Sequence, residues 1–66
     1  MPQTYHELKL YAKTITSQYY DLKEEILGLL DLCETEIEEG GSIQHEIDLC
    51  YNDINALVKE RIKDKV

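Results

Sequence analysis

The sequence has no tryptophan and no phenylalanine, a single proline, and only three glycines in 66 residues. Any core must therefore be assembled from aliphatic side chains, two cysteines and five tyrosines. So few breakers leave no room for the closely spaced turns of a sheet protein, and apolar and polar residues nowhere alternate as in a half-buried strand. No run of 18 apolar residues exists, so no membrane-spanning helix is expected. The first residues lack a basic stretch followed by an apolar one, so no secretory leader is expected and the setting should be cytoplasmic and reducing. Cations are also scarce: seven Lys and Arg face fourteen Asp and Glu, for a net charge of −7. That balance argues against direct nucleic-acid binding, which needs a basic face to neutralise phosphates.

Site motifs are missing as well. There is no CxxC pair, no glycine-rich phosphate loop, and neither His6 nor His45 has a glutamate three residues before it. No catalytic residue, metal site or cofactor is expected. A 66-residue chain reads as one domain, 1–66, too small to wall a reaction cleft with several elements. Chains of this size bury only about 60% of their unfolded surface and are marginal unless stapled or associated. An enzyme is therefore not expected.

What is present is helical. Thr4-Tyr5-His6-Glu7 matches the capping box, in which the threonine oxygen and the N3 glutamate satisfy each other's backbone donors. Apolar residues then recur at Leu8, Ala12, Ile15, Tyr19, Leu22, Ile26, Leu29 and Cys33, an uninterrupted alternation of intervals of 4 and 3. The pattern closes on Ile37, followed by Glu38-Glu39-Gly40-Gly41, where Gly40 can supply a left-handed C-terminal position. Ser42 then opens a second series: Ile43, Ile47, Cys50, Ile54 and Leu57, continued by Val58, Ile62 and Val66. Lys59, Arg61, Lys63 and Lys65 crowd its end, where cations suit the helix dipole. The pattern predicts an all-α antiparallel hairpin: a long helix over about 4–39, a Gly-Gly turn, and a helix over about 42–65. Folding at Gly40-Gly41 pairs Ile26 with Leu57, Leu29 with Ile54 and Cys33 with Cys50, each at an index sum of 83.

The two helices differ in length, so residues 5–15 are left without an intrachain partner. Either the weak helix formers Thr14-Ile15-Thr16-Ser17 break the helix and fold an arm back, or the helix continues and its overhang packs on another chain. The continuous helix is preferred here. Leu27, Leu30 and Leu32 are a second surplus, apolar residues beyond the needs of one seam. Leu8, Tyr11, Ile15, Leu27, Leu30 and Leu32 are accordingly the candidates for protein binding or self-association, with dimerisation into a helical bundle expected. Cys33 and Cys50 fit two reduced core cysteines better than a disulfide or a zinc site. Neighbouring helix axes lie about 8–10 Å apart, whereas bridged Cα atoms lie about 4.4–6.8 Å apart.

Acidity is concentrated in the middle of the chain. Residues 21–39 hold eight acids and one lysine, while residues 1–20 are net +1. Glu24, Asp31 and Glu38 recur every seven residues, and Glu46, Asp53 and Glu60 repeat the spacing in the second helix. The expected function is a small non-enzymatic module that binds a protein through helix packing, such as a regulator, inhibitor, chaperone or accessory subunit. The alternative is an acidic decoy of phage or mobile-element origin that imitates nucleic acid and occupies a basic cleft through Glu24, Asp31, Glu38, Glu46 and Asp53. The stretch Leu30-Asp31 … Ile37-Glu38-Glu39-Gly40 … Ser42-Ile43 resembles the turn region of the exonuclease VII small subunit. The length and central Gly-Gly are similar to the small E-type chaperones of type III secretion needles. Both are resemblances of layout and imply no site residues.

Overall fold

A computed structural model describes residues 2–64, and over them the chain is all-α with three helices. The first, α1, spans Tyr5–Gln18 and starts where the sequence places a cap. Thr4 is extended (φ −128, ψ 161), and its side-chain oxygen accepts the Glu7 N–H at 3.1 Å. Toward its end the hydroxyls of Thr14, Thr16 and Ser17 donate back to the carbonyls of Leu10 and Lys13 at 2.9–3.1 Å. Such back-bonding weakens a helix. Tyr19 then leaves helical geometry (φ −125, ψ 69), with its N–H held by the Ile15 carbonyl at 2.8 Å. A short 3-10 turn over Tyr20–Leu22 leads into α2, Lys23–Glu38.

The continuous helix over 4–39 is therefore corrected: the chain breaks at Tyr19, directly after the cluster of weak formers at 14–17. One hydrogen bond makes the fold-back unavoidable. The Tyr5 hydroxyl donates to the Leu30 carbonyl at 3.2 Å. An unbroken helix would hold those residues roughly 38 Å apart at 1.5 Å per residue.

The end of α2 is closed by two crossed backbone bonds, Gly40 N–H to the Ile37 carbonyl (3.2 Å) and Gly41 N–H to the Glu36 carbonyl (2.9 Å). This is the Schellman arrangement, and it explains both glycines. Gly40 sits at φ +100, and a Cβ on Gly41 would lie 2.8 Å from the Glu36 carbonyl oxygen. The third helix, α3, spans Ile43–Asp64. Cross-contacts give the helix directions. Cys33 on α2 meets Cys50 on α3, Asp21 pairs with Arg61, Tyr11 reaches Tyr51 and Asn55, and Tyr5 reaches Leu30 and Glu34. So α2 runs opposite to both α1 and α3 within an envelope of 40 × 20 × 17 Å.

One apolar cluster runs through all three helices: Leu8, Ala12, Leu22, Ile26, Leu30, Cys33, Ile47, Cys50 and Ile54. Leu8, Ile26, Ile47 and Ile54 are wholly buried. The expected unpartnered overhang is thus corrected too. Leu8 and Ala12 lie inside this chain's own core, with Tyr11 and Ile15 packed against it. The Tyr11 hydroxyl donates to Asn55 Oδ1, and its ring lies 4.9 Å from that of Tyr51. No buried side-chain nitrogen or oxygen among the described residues lacks a partner.

Two expectations follow for stability. Leu8→Ala should cost about 2–5 kcal/mol, the range for emptying a buried leucine site, in urea unfolding of the dilute protein; a loss below about 0.5 kcal/mol would mean that α1 does not pack on its own chain. Glycine-to-alanine changes should have opposite signs at two positions. Gly28→Ala, in a helix interior where a Cβ meets nothing within 4 Å, should stabilise by up to about 1 kcal/mol. Gly41→Ala should destabilise.

Candidate functional site: two grooves of opposite charge

Two grooves flank α2, and the fold-back of α1 creates the second of them. The first lies between α2 and α3, with a volume of about 550 Å³. Its floor is Leu29, Leu32, Ala56 and Leu57, with Gly28 at one wall. Toward the Gly40 end the same cleft continues over Leu49 and the two cysteines. The rims are acidic on both sides: Glu25 and Glu36 from α2, and Glu46, Asp53 and Glu60 from α3. No Lys or Arg lines it. Leu32 at 62% and Leu49 at 46% exposure are its open apolar surface.

The second groove lies between α1 and α2, with a volume of about 590 Å³. Ala12, Ile26 and Leu30 form its floor, and Leu10, Tyr20 and Leu27 stand exposed along it. Its polar lining is His6, Lys9, Lys13, Thr16, Ser17 and Lys23, without a single Asp or Glu. These three lysines are every cation that precedes Lys59 in the sequence. The Lys9 ammonium sits 5.6 Å from the Tyr5 ring centre and the Lys23 ammonium 5.4 Å from that of Tyr20, distances at which a ring face attracts a cation.

The residues singled out from sequence are divided by this geometry. Leu8 is wholly buried and Leu30 nearly so, and Tyr11 and Ile15 are partly covered, so these four pack within the chain. Leu27 and Leu32 stay exposed but do not share a face. Five positions at 100° each set them about 140° apart around α2, and they line different grooves. The acids separate likewise. Glu46 and Asp53 line the α2/α3 groove. Glu24 lines a depression with Tyr20 and Leu27, Glu38 lies near Thr4 and Tyr5, and Asp31 is exposed. Glu25 and Glu36 on the rims, and the three lysines opposite, were not singled out, and Glu60 was noted only for its seven-residue spacing. Glu25 and Glu36 flank the seam residues Ile26, Leu29 and Cys33, and that flanking position was the available signal.

Buried titratable groups are kept neutral. The Cys33 and Cys50 thiols hydrogen-bond to each other and are not bridged. Burial pushes Cys50 up to about 12, helped by Cys33 and Asp53, and burial with Glu46 nearby raises Cys33. Burial raises Tyr11, with Tyr51 adding to it. Burial and the adjacent Glu34 raise Tyr5 to about 12; its hydroxyl donates to the Glu34 carboxylate at 3.3 Å. Thiols held this high are poor nucleophiles at neutral pH. Among the described residues no group of three or more His, Cys, Asp or Glu is arranged to hold a metal ion. No described helix is long and apolar enough to cross a membrane.

Each raised value favours the protonated form in the fold, so the associated stability is complete below the unfolded values, 9.0 for a thiol and 10.0 for tyrosine. It is lost as pH climbs toward 12. The thermal midpoint should hold up to about pH 9 and fall above it, with a shallower fall in Tyr5→Phe. At pH 8 both thiols should react with a disulfide reagent more slowly in the folded protein than in urea, Cys50 by at least about a hundredfold.

No family model, curated protein or solved structure matches this chain.

Proposed function

We propose that the chain is a non-enzymatic protein-binding module whose α2/α3 groove receives a basic amphipathic helix of a partner protein. The observation that carries this is the composition of that groove, an apolar floor between two acidic rims with no cation among its lining residues. An apolar floor supplies affinity when a partner's leucine stripe displaces water from it. Carboxylates along both edges speed encounter with a cationic helix and set its register. Gly28 leaves the wall low, which allows close approach of a second backbone. Two raised thiols in the groove wall offer no chemistry of their own. The acidic decoy is the competing view. It requires carboxylates alone, and exposed leucines between the acidic rims are surplus to it.

The test uses an 18-residue synthetic helix with a leucine stripe flanked by lysines, measured by fluorescence anisotropy. Leu32→Asp and Gly28→Leu should each weaken binding at least tenfold while circular dichroism stays unchanged. Salt should weaken it only moderately, because the apolar contribution survives screening. If a lysine helix lacking the leucine stripe binds equally well, and affinity collapses with salt while both variants behave as wild type, the groove reading fails and the decoy stands.

A further inference from the structure

The α1/α2 groove is not used by that function, and its chemistry is the converse of its neighbour's. Lys9, Lys13 and Lys23 surround exposed Leu10, Tyr20 and Leu27 on a chain whose net charge is −7. Clustering every early cation along one apolar groove whose own lining holds no acid, with Asp21 and Glu24 beside it only at the Lys23 end, leaves a surface complementary to one particular object already described: the acid-rimmed α2/α3 groove of another molecule of the same protein. We infer that the α1/α2 groove is a second docking surface, and that its occupant is the α2/α3 edge of a second copy.

This rests on the α2/α3 groove being a site for basic amphipathic helices, and it identifies α1 itself as one such helix. Lys9 and Lys13 lie one turn apart and flank Leu10, so this face of α1 combines an apolar centre with cationic edges. Opposed rims then pair lysine with carboxylate, and exposed Leu10 and Leu27 meet exposed Leu32 and Leu49. A standard interface takes about 800 Å² per partner. Two such faces would cover roughly a third of the 4761 Å² the chain exposes, which a molecule this size can accommodate.

Symmetry follows from the angle between the grooves. Because they open about 140° apart around α2, one copy cannot present both to the same neighbour. The contact is heterologous, basic groove to acidic groove, and it propagates head to tail into a ring or a short fibre instead of closing as a two-fold dimer. Assembly also hides the α2/α3 groove, so self-association and partner binding exclude each other.

Two exposed positions separate the faces without disturbing the core: Leu10→Asp blocks the basic groove and Leu32→Asp blocks the acidic one. In sedimentation velocity at low salt, the weight-average mass of the wild type should rise with concentration past twice the 7.7 kDa protomer and fall back at high salt. Each variant alone should remain a monomer. Their equimolar mixture, with one intact face on each molecule, should stop at a one-to-one heterodimer. Adding the lysine–leucine helix should dissolve wild-type assemblies. A wild type that is monomeric at millimolar concentration, a Leu10→Asp protein that assembles normally, or a mixture that fails to pair would each overturn the inference. None of these bears on peptide binding, which Leu10→Asp should retain. Loss of peptide binding in the wild type would instead overturn the proposed function.

Discussion

The architecture depends on α1 lying against the other two helices. Two helices sharing one seam through Ile26, Cys33, Ile47, Cys50 and Ile54 would leave much of that seam open on one side. Leu8 and Ala12 close it. Leu8 fills the gap and Ala12 leaves room for the neighbouring helices, so the core closes without phenylalanine or tryptophan. The tyrosines then fix what aliphatic packing leaves loose. Tyr5 ties the start of α1 to the Leu30 carbonyl, and Tyr11 ties its middle to Asn55. A helix that could slide along an apolar groove is held at two points by directional bonds. At the far end the Asp21–Arg61 pair joins the turn after α1 to the last part of α3.

That dependence clarifies which features could be read before the structure. Local signals were legible because they are local. Thr4 caps α1 as its spacing to Glu7 indicated, and Gly40 occupies the positive-φ position expected after Ile37. The break at Tyr19 was not legible from periodicity. Ile15, Tyr19, Leu22 and Ile26 keep their intervals of 4 and 3 straight through it, so the 3-10 turn preserves the phase of the apolar stripe while reversing the chain. An unbroken heptad records which residues face the core. It does not record whether they face it from one helix or two. Only the energetics of Thr14, Thr16 and Ser17 distinguished the cases, and single-residue propensities are weak beside the burial of Leu8.

The two grooves were half legible for a related reason. Surplus leucines are visible in a sequence, and Leu27 and Leu32 are indeed exposed. Grouping them with Leu30 as one surplus presumed a two-layer molecule, in which everything beyond the seam points outward together. A third helix divides the outside of α2 into two flanks and takes Leu30 for the core. The acids obey the same geometry. A heptad-spaced row such as Glu24, Asp31 and Glu38 is easily seen along a sequence, yet those residues are dispersed among separate surroundings in the fold. The residues that converge on a groove come from two helices running in opposite directions, and their proximity depends on the register between helices.

The separation of charge has a physical consequence for a molecule this small. With fourteen acids on 66 residues, self-repulsion works against compactness. Gathering Lys9, Lys13 and Lys23 onto one groove does little to offset that repulsion across the α2/α3 groove, where Glu25, Glu36, Glu46, Asp53 and Glu60 have no cation among them. Interspersed lysines on those rims would lower the electrostatic cost and improve stability as an isolated monomer. An arrangement that leaves like charges facing each other along an apolar cleft, with the compensating cations on the opposite flank, stabilises the isolated fold less than it stabilises a fold with the cleft occupied. Stability then becomes linked to occupancy by mass action, to the extent that a cationic occupant prefers the folded cleft to the unfolded chain. Under the proposed function the polarised surface gives up stability in the free protein that an occupied cleft would recover.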